Sequence, residues 1–246
     1  MSEGPGYSDG YGAEGQMVMP FYIICDVSGS MTRDMPALND GIQKLHRSIV
    51  QNPVVDDVAH ISVISFSNDA RTLMPLSQMS ERNMPTLVTD GGRTNYGNAF
   101  RELARAIPQD AAALRAQGYR IFRPCAFFLT DGEPTDRDWL DVFRTTLTFD
   151  KSTSTGMRQY PVFIPFGFRD AQEAELRKLA YPYTKGKYYH IKTQDIGQVL
   201  GLIMDVIMNT VVASGQSSAT GKPTLVHAPA PTVPGVTVGD PDDDWI

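Results

Sequence analysis

From Met17 onward the chain alternates two hydrophobic patterns. Short continuous runs rich in aromatic and β-branched residues predict strands buried on both faces. Longer stretches with apolar residues every three or four positions predict helices. Met17 to Cys25 is the first run. Leu38, Ile42, Leu45 and Ile49 then predict a helix to about Val50, with Pro36 in its first turn and Asn52-Pro53 as its stop. Val58 to Phe66 is the second strand. Ser67-Asn68-Asp69 turns it into a weaker strand, Ala70 to Leu76, paired with it as a hairpin near the sheet edge. A helix starts near Asn95 with Phe100, Leu103, Ala104 and Ile107 on one side. Pro108 interrupts it, and Ala111 to Gln117 resumes helical composition. Pro124 to Leu129 is another strand, followed by a helix from about Asp136 carrying Trp139, Leu140, Val142, Phe143 and Leu147. After a polar loop from Lys151 to Gly156, Pro161 to Phe168 is again a strand. Asp170, with Glu173 three residues on, predicts an N-cap before Leu176 and Leu179. Lys187 to Ile191 reads as a short last strand. Asp195 opens a final helix whose stripe of Ile196, Val199, Leu200, Ile203, Val206 and Ile207 reads as core.

Strands alternating with helices, with one hairpin, predict an α/β fold. Its sheet is mostly parallel with one antiparallel edge strand, and helices cover both faces. The 246 residues, 41% hydrophobic and 20% charged, suit one such domain with appended ends. The domain spans 17–213. Residues 1–16, rich in Gly, Ser, Tyr and acid, read as a disordered segment without the basic and apolar regions of a signal peptide. Residues 214–246 read as a disordered Pro/Ala/Thr-rich tail ending in the acidic tip Asp242-Asp243-Asp244-Trp245-Ile246, a solubilising tail with partner docking as the alternative. No stretch reads as a membrane span. The nearest, Ile196 to Ala213, contains Gln198, Asp205 and Asn209. The formal net charge of −6, with no run of Lys and Arg, argues against nucleic acid. Cys25 and Cys125 both fall in apolar runs. They are expected as buried thiols, and a bridge requires adjacent strands in register. A cytoplasmic location is expected.

Candidate chemistry lies where strands end. The first strand runs into Asp26-Val27-Ser28-Gly29-Ser30, which places Asp26, Ser28 and Ser30 in one small volume at the sheet's C-terminal edge, where open α/β sheets bind ligands. All three offer oxygen, which suits Mg²⁺ and argues against zinc or copper. The same residues could simply cap the next helix, and this motif alone leaves both readings open. Thr94 follows Gly91-Gly92-Arg93 at a loop-to-helix junction, where a threonine is also an ordinary N-cap. Asp131 follows the strand ending at Leu129, with Gly132 next.

DVSGSM at 26–31, GGRTNYG at 91–97 and FFLTDGEPTD at 127–136 occur in order. Together they resemble the von Willebrand factor A domain, whose metal-ion-dependent adhesion site (MIDAS) uses Asp-x-Ser-x-Ser, then Thr, then Asp. The resemblance covers about Met17 to Ala213 and implies a Rossmann-like fold. It also implies that Ser28, Ser30 and Thr94 hold Mg²⁺ or Mn²⁺ through hydroxyls, while Asp26 and Asp131 act largely through bound waters. Direct ligation by Thr94 depends in the family on an open or closed state. Neutral hydroxyls and outer carboxylates leave the cation under-neutralised, so an open position can accept an Asp or Glu carboxylate from a protein partner. HISVISFSNDARTLMPL at 60–76 and FLTDGEPTD at 128–136 are similar to the bacterial tellurium-resistance TerY-type group. That likeness implies a stress or tellurite-resistance complex with a protein kinase or phosphatase as partner. Some members carry a cysteine-rich extension, and the tail here has no cysteine.

The expectation is therefore a non-enzymatic, metal-dependent protein-binding module. The alternative is a Mg²⁺-dependent phosphotransferase or hydrolase using Asp26. Aspartyl enzymes of the haloacid-dehalogenase kind place a second acid two residues on, where this chain has Ser28. A serine-hydrolase elbow needs glycine two before the serine, where it has Asp26. His46, His60, His190 and His227 are scattered, with no spacing that names a base.

Overall fold

A computed structural model describes residues 15–182, 184–192, 196–219, 223–229 and 235–241. The expectations for residues 1–14, for Asp195 and for the tip 242–246 lie outside the described residues. In chain order the elements are β1 (Met17–Asp26), α1 (Met35–Val50), α2 (Pro53–Asp56), β2 (Ala59–Phe66), β3 (Ala70–Ser77), α3 (Tyr96–Ala116), β4 (Arg120–Ile121), β5 (Cys125–Thr130), α4 (Trp139–Leu147), β6 (Phe149–Asp150), β7 (Thr155–Gly156), β8 (Val162–Phe168), α5 (Glu173–Leu179), β9 (Tyr188–Ile191), α6 (Ile196–Ala219) and β10 (Val236–Gly239). Short 3₁₀ turns cover Gly29–Arg33 and Met79–Glu81.

The main sheet runs β10-β9-β8-β5-β1-β2-β3, with β4 paired to the start of β1. β9, β8, β5, β1 and β2 are mutually parallel. β3 is the expected antiparallel edge, and β10 adds a second antiparallel strand at the far edge. From β1 the chain builds first toward β2, then crosses to β5 on the other side. The strand order therefore reverses between β1 and β5, the place where such sheets open a crevice.

Alternate residues of β1 supply two cores. Phe21, Ile23 and Cys25 face the layer of α1 and α6, packing with Leu38, Ile42, Ile203 and Ile207. Tyr22 and Ile24 face the layer of α3 and α4, packing with Phe100, Leu103, Phe128 and Phe143. Phe100, Phe143 and Phe163 meet edge to face, with ring centroids 5.0–5.8 Å apart. The two thiols lie on adjacent strands but out of register: Cys125 pairs with Phe21, and Cys25 with Leu129. Four residues of strand separate their levels, so both stay free.

Several elements differ from the sequence reading. α3 runs through Pro108, because Ile107, Ala111 and Leu114 stay buried on its core side and outweigh one lost backbone bond. The loop from Lys151 holds the small β6-β7 ribbon. α5 is preceded by Gln172, not Asp170, whose N–H is taken by the carbonyl of Asp131. The boundary at 213 and a wholly disordered 214–246 also fail. α6 continues to Ala219, and Thr210 Oγ1 and Ser214 Oγ accept the N–H groups of Ala228 and Val226 as the chain folds back. β10 then pairs with β9, and Lys187 meets Asp240 beyond it. Val199–Ser217 of α6 is long and apolar enough to cross a membrane by length and composition, contrary to the sequence reading. Here Val199, Leu200, Ile203, Ile207 and Val211 are buried in the core.

α1 and α6 approach closely at Gly41, where an added Cβ would run into the Met204 side chain. Glycine in mid-helix costs helix stability, so its place here is one of packing. Gly41→Val is expected to destabilise the fold by about 1–3 kcal/mol, read from urea denaturation.

Candidate metal centre

Three parallel strands deliver their last residues to one rim. β1 ends at Asp26, β5 at Thr130 with Asp131 following, and β8 at Phe168 with Arg169 following. Parallel pairing in register brings these ends side by side at the crevice between β1 and β5. The structure brings Asp26, Ser28, Ser30 and Asp131 into one hydrogen-bonded cluster. Asp26 is fully buried. Its Oδ1 accepts the Ser28 N–H at 2.9 Å and its Oδ2 accepts the Thr130 hydroxyl at 2.8 Å. The hydroxyls of Ser28 and Ser30 are 3.1 Å apart, and Ser30 donates to Asp131 Oδ1 at 2.8 Å. Ser28 precedes the 3₁₀ turn but makes no side-chain cap, which removes the plain capping reading.

Thr94 reaches the same rim from a separate loop. Gly91 has φ +72°, a left-handed angle that glycine adopts without strain. This lets residues 89–92 fold onto the Asp26 loop, with Asp90 N–H to Val27 O, Gly29 N–H to Gly92 O and the Thr89 hydroxyl to Ser28 O. Asn95, not Thr94, caps α3 by accepting the Asn98 N–H at 2.8 Å, so the N-cap reading of Thr94 falls. Asp136 accepts the N–H groups of both Tyr96 and Gly97, and a Cβ on Gly97 would crowd that carboxylate. The Thr94 carbonyl accepts the N–H and hydroxyl of Thr135. Thr94 Oγ1 thereby stands 3.6 Å from where a Cβ on Gly132 would lie, beside Asp131. The buried Tyr96 hydroxyl donates to Gly132 O at 2.8 Å and fixes the loop from below.

Sequence reading missed three residues here. Thr130 was hidden as the last residue of an apolar run. Asp34 and Arg169 carried no motif and meet only in three dimensions. Arg169 donates to Asp131 Oδ2 at 3.3 Å, to Asp34 Oδ1 at 2.9 Å and to the Ser30 carbonyl at 3.1 Å. Asp34 precedes α1 but does not cap it, its carboxylate being turned to Arg169. Asp34 Oδ2 is buried with the guanidinium at 2.8 Å, yet no hydrogen bond satisfies it.

The electrostatics follow from burial. Loss of solvent pushes the Asp26 carboxyl up to about 6, with hydrogen bonds from Ser28 and Thr130 opposing and the nearby Asp131 charge adding. Asp131 and Asp34 are also raised by burial, with Ser30 and Arg169 opposing at Asp131 and Arg169 at Asp34. Buried carboxylates call for a counter-charge. Among the described residues no three His, Cys, Asp or Glu side chains converge to form a metal cage. A cation at this rim would therefore be met by hydroxyls and two carboxylates. That hard, partly neutral donor set fits a divalent ion that keeps part of its water.

The other groups weighed from sequence sit elsewhere. His46 contacts the carbonyls of Met79 and Arg82, and His190 contacts Glu173. His60 opens β2, at the end of the sheet opposite the rim.

Comparison with known proteins gives the family and the fold. The sequence matches the family model for the von Willebrand factor type A domain over residues 21–201. No curated protein matches it. Among solved structures, proximal thread matrix protein 1 from the mussel byssus, with a zinc-occupied MIDAS motif, superposes with TM-score 0.55 at 14% identity over 81% of this chain and 49% of that one. The pilus adhesin SpaC from Lactobacillus rhamnosus GG, in its open conformation, gives 0.55 at 13% identity over 82% and 31%. The chain thus spans about half of the first and a third of the second.

Because the folded-state pKa of Asp26 lies above that of the unfolded chain, the native protein holds the extra proton and loses stability as pH rises through the range between the two. In EDTA, the stability of Asp26→Asn relative to wild type is expected to shift in the variant's favour by about 3 kcal/mol between about pH 4 and pH 7. Urea denaturation across that range reads the difference.

Proposed function

The chain belongs to the von Willebrand factor type A domain family, and we propose that it is a non-enzymatic protein-binding module working through a divalent cation at the β1–β5 rim. Ser28, Ser30 and Thr94 hold the ion through hydroxyls, and Asp26 and Asp131 act largely through its waters. Mg²⁺ is the ion proposed, with Mn²⁺ as substitute, because hard oxygen donors and retained water suit both. The bound ion supplies an electrophilic position for an Asp or Glu carboxylate of a protein partner. The single observation that supports this reading is the meeting of both serine hydroxyls with buried Asp131 at the switch point, next to buried Asp26.

The enzyme alternative has less support. Asp26 is fully buried and accepts from Ser28 N–H and the Thr130 hydroxyl, and the residue two places on is Ser28 in place of the second acid that an aspartyl phosphotransferase uses. The two sequence stretches similar to the TerY-type group extend the proposal to a cytoplasmic complex of a stress or tellurite-resistance kind, with a protein kinase or phosphatase as the partner.

Isothermal titration is expected to show one Mg²⁺ site per chain, with Mn²⁺ and Zn²⁺ as comparison ions because the mussel protein carries zinc in its MIDAS motif. Asp26→Ala should weaken Mg²⁺ by about ten-fold or more. Partner recovery on the immobilised protein should fall both in EDTA and in Asp26→Ala. Equal recovery by wild type in Mg²⁺, wild type in EDTA and Asp26→Ala in Mg²⁺ would sink the proposal, whereas phosphatase or ATPase turnover lost in Asp26→Ala would favour the enzyme.

A further inference from the structure

We propose that Arg169 is an internal counter-cation of this centre. It neutralises Asp131 and Asp34 when no divalent ion is bound, and it competes with that ion for Asp131. The inference rests on the metal reading above and assigns a role to a residue that lies outside its five ligands.

Arg169 is placed with care. It sits one residue past β8, on the neighbour strand of β5, and its backbone has φ +53°. A non-glycine residue persists in that left-handed region only when its surroundings over-determine it. Here they do: Asp170 N–H bonds to Asp131 O, Ala171 N–H to Phe168 O, and the guanidinium takes three partners, Asp131, Asp34 and Ser30 O. The side chains of Asp131 and Asp34 are 0% and 5% exposed, and that of Arg169 is 28% exposed. The arginine thus covers two buried acids while keeping a route to solvent. A planar fork suits this task, since it can reach two carboxylates at once.

The charges around the rim explain the competition. Asp26, Asp131 and Asp34 give three negative charges when ionised, and Arg169 returns one positive charge. Arg33 also acts on Asp34, and the acids still outnumber the cations. Removing Arg169 leaves the acids more negative and frees Asp131 Oδ2, the oxygen on which it donates. Both changes favour a metal ion. Because the group is mostly shielded, salt screens these effects only weakly.

The test compares the full-length wild type with Arg169→Gln, Arg169→Gly and Arg169→Lys. Arg169→Gly removes the charge while suiting the left-handed backbone, so it covers the case in which Arg169→Gln fails to fold. Mg²⁺ binding is measured by isothermal titration, and melting temperature in EDTA and in Mg²⁺. Both charge-removing variants are expected to bind Mg²⁺ about ten-fold more tightly than wild type, and Arg169→Lys to stay within about three-fold. Arg169→Gln should melt lower than wild type in EDTA and regain more from Mg²⁺. If the folded charge-removing variants bind Mg²⁺ equally or more weakly than wild type, the counter-cation role is wrong and the metal reading stands. If no protein in the series binds a divalent ion, both fall together.

Discussion

Asp26 and Asp131 have to be buried side by side, and much of this molecule is arranged around that cost. A parallel sheet whose order reverses at β1 and β5 ends both strands at one crevice, and the acid that closes each apolar run is carried there by register. Two carboxylates removed from water need donors and a counter-charge. The donors are Ser28 N–H, Ser30 and Thr130. The counter-charge within the chain is Arg169. Burial without full neutralisation is the cost that the proposed cation would relieve.

The surrounding loops can be understood as supports for this arrangement. Gly91 bends the 89–92 segment onto the Asp26 loop, Asn95 relieves Thr94 of capping, and Asp136 holds the first turn of α3 from the far side. Tyr96 then joins the aromatic core to the Gly132 carbonyl. The rim thus rests on the β5–α3–α4 packing beneath it. The opposite layer, where α6 lies on α1, contributes to stability and buries 56% of the apolar stretch Val199–Ser217.

Specific residues show how far the sequence could be read. The strands from Met17, Val58, Pro124 and Pro161 were legible because strands covered on both faces are continuously apolar. The acid-to-hydroxyl steps after Cys25 and Leu129 were legible because polar groups interrupt those runs abruptly. Pro108 misled because a local propensity was overridden by tertiary packing of Ile107 and Ala111. The segment after Ser214 misled because its order comes from Thr210 and Ser214, polar side chains on α6 that accept backbone N–H groups far along the chain.

The sequence by itself determined the α/β class and the mostly parallel sheet with its β3 edge, because both depend on periodicity, while the five residues proposed for the centre came from short motifs read through a family resemblance. Only the tertiary structure decided that Cys25 and Cys125 sit out of register, that β10 pairs at the sheet edge, and that Asp34 and Arg169 meet at the rim. Those outcomes depend on strand register and on side chains separated by up to 135 residues, and no local pattern encodes such a meeting.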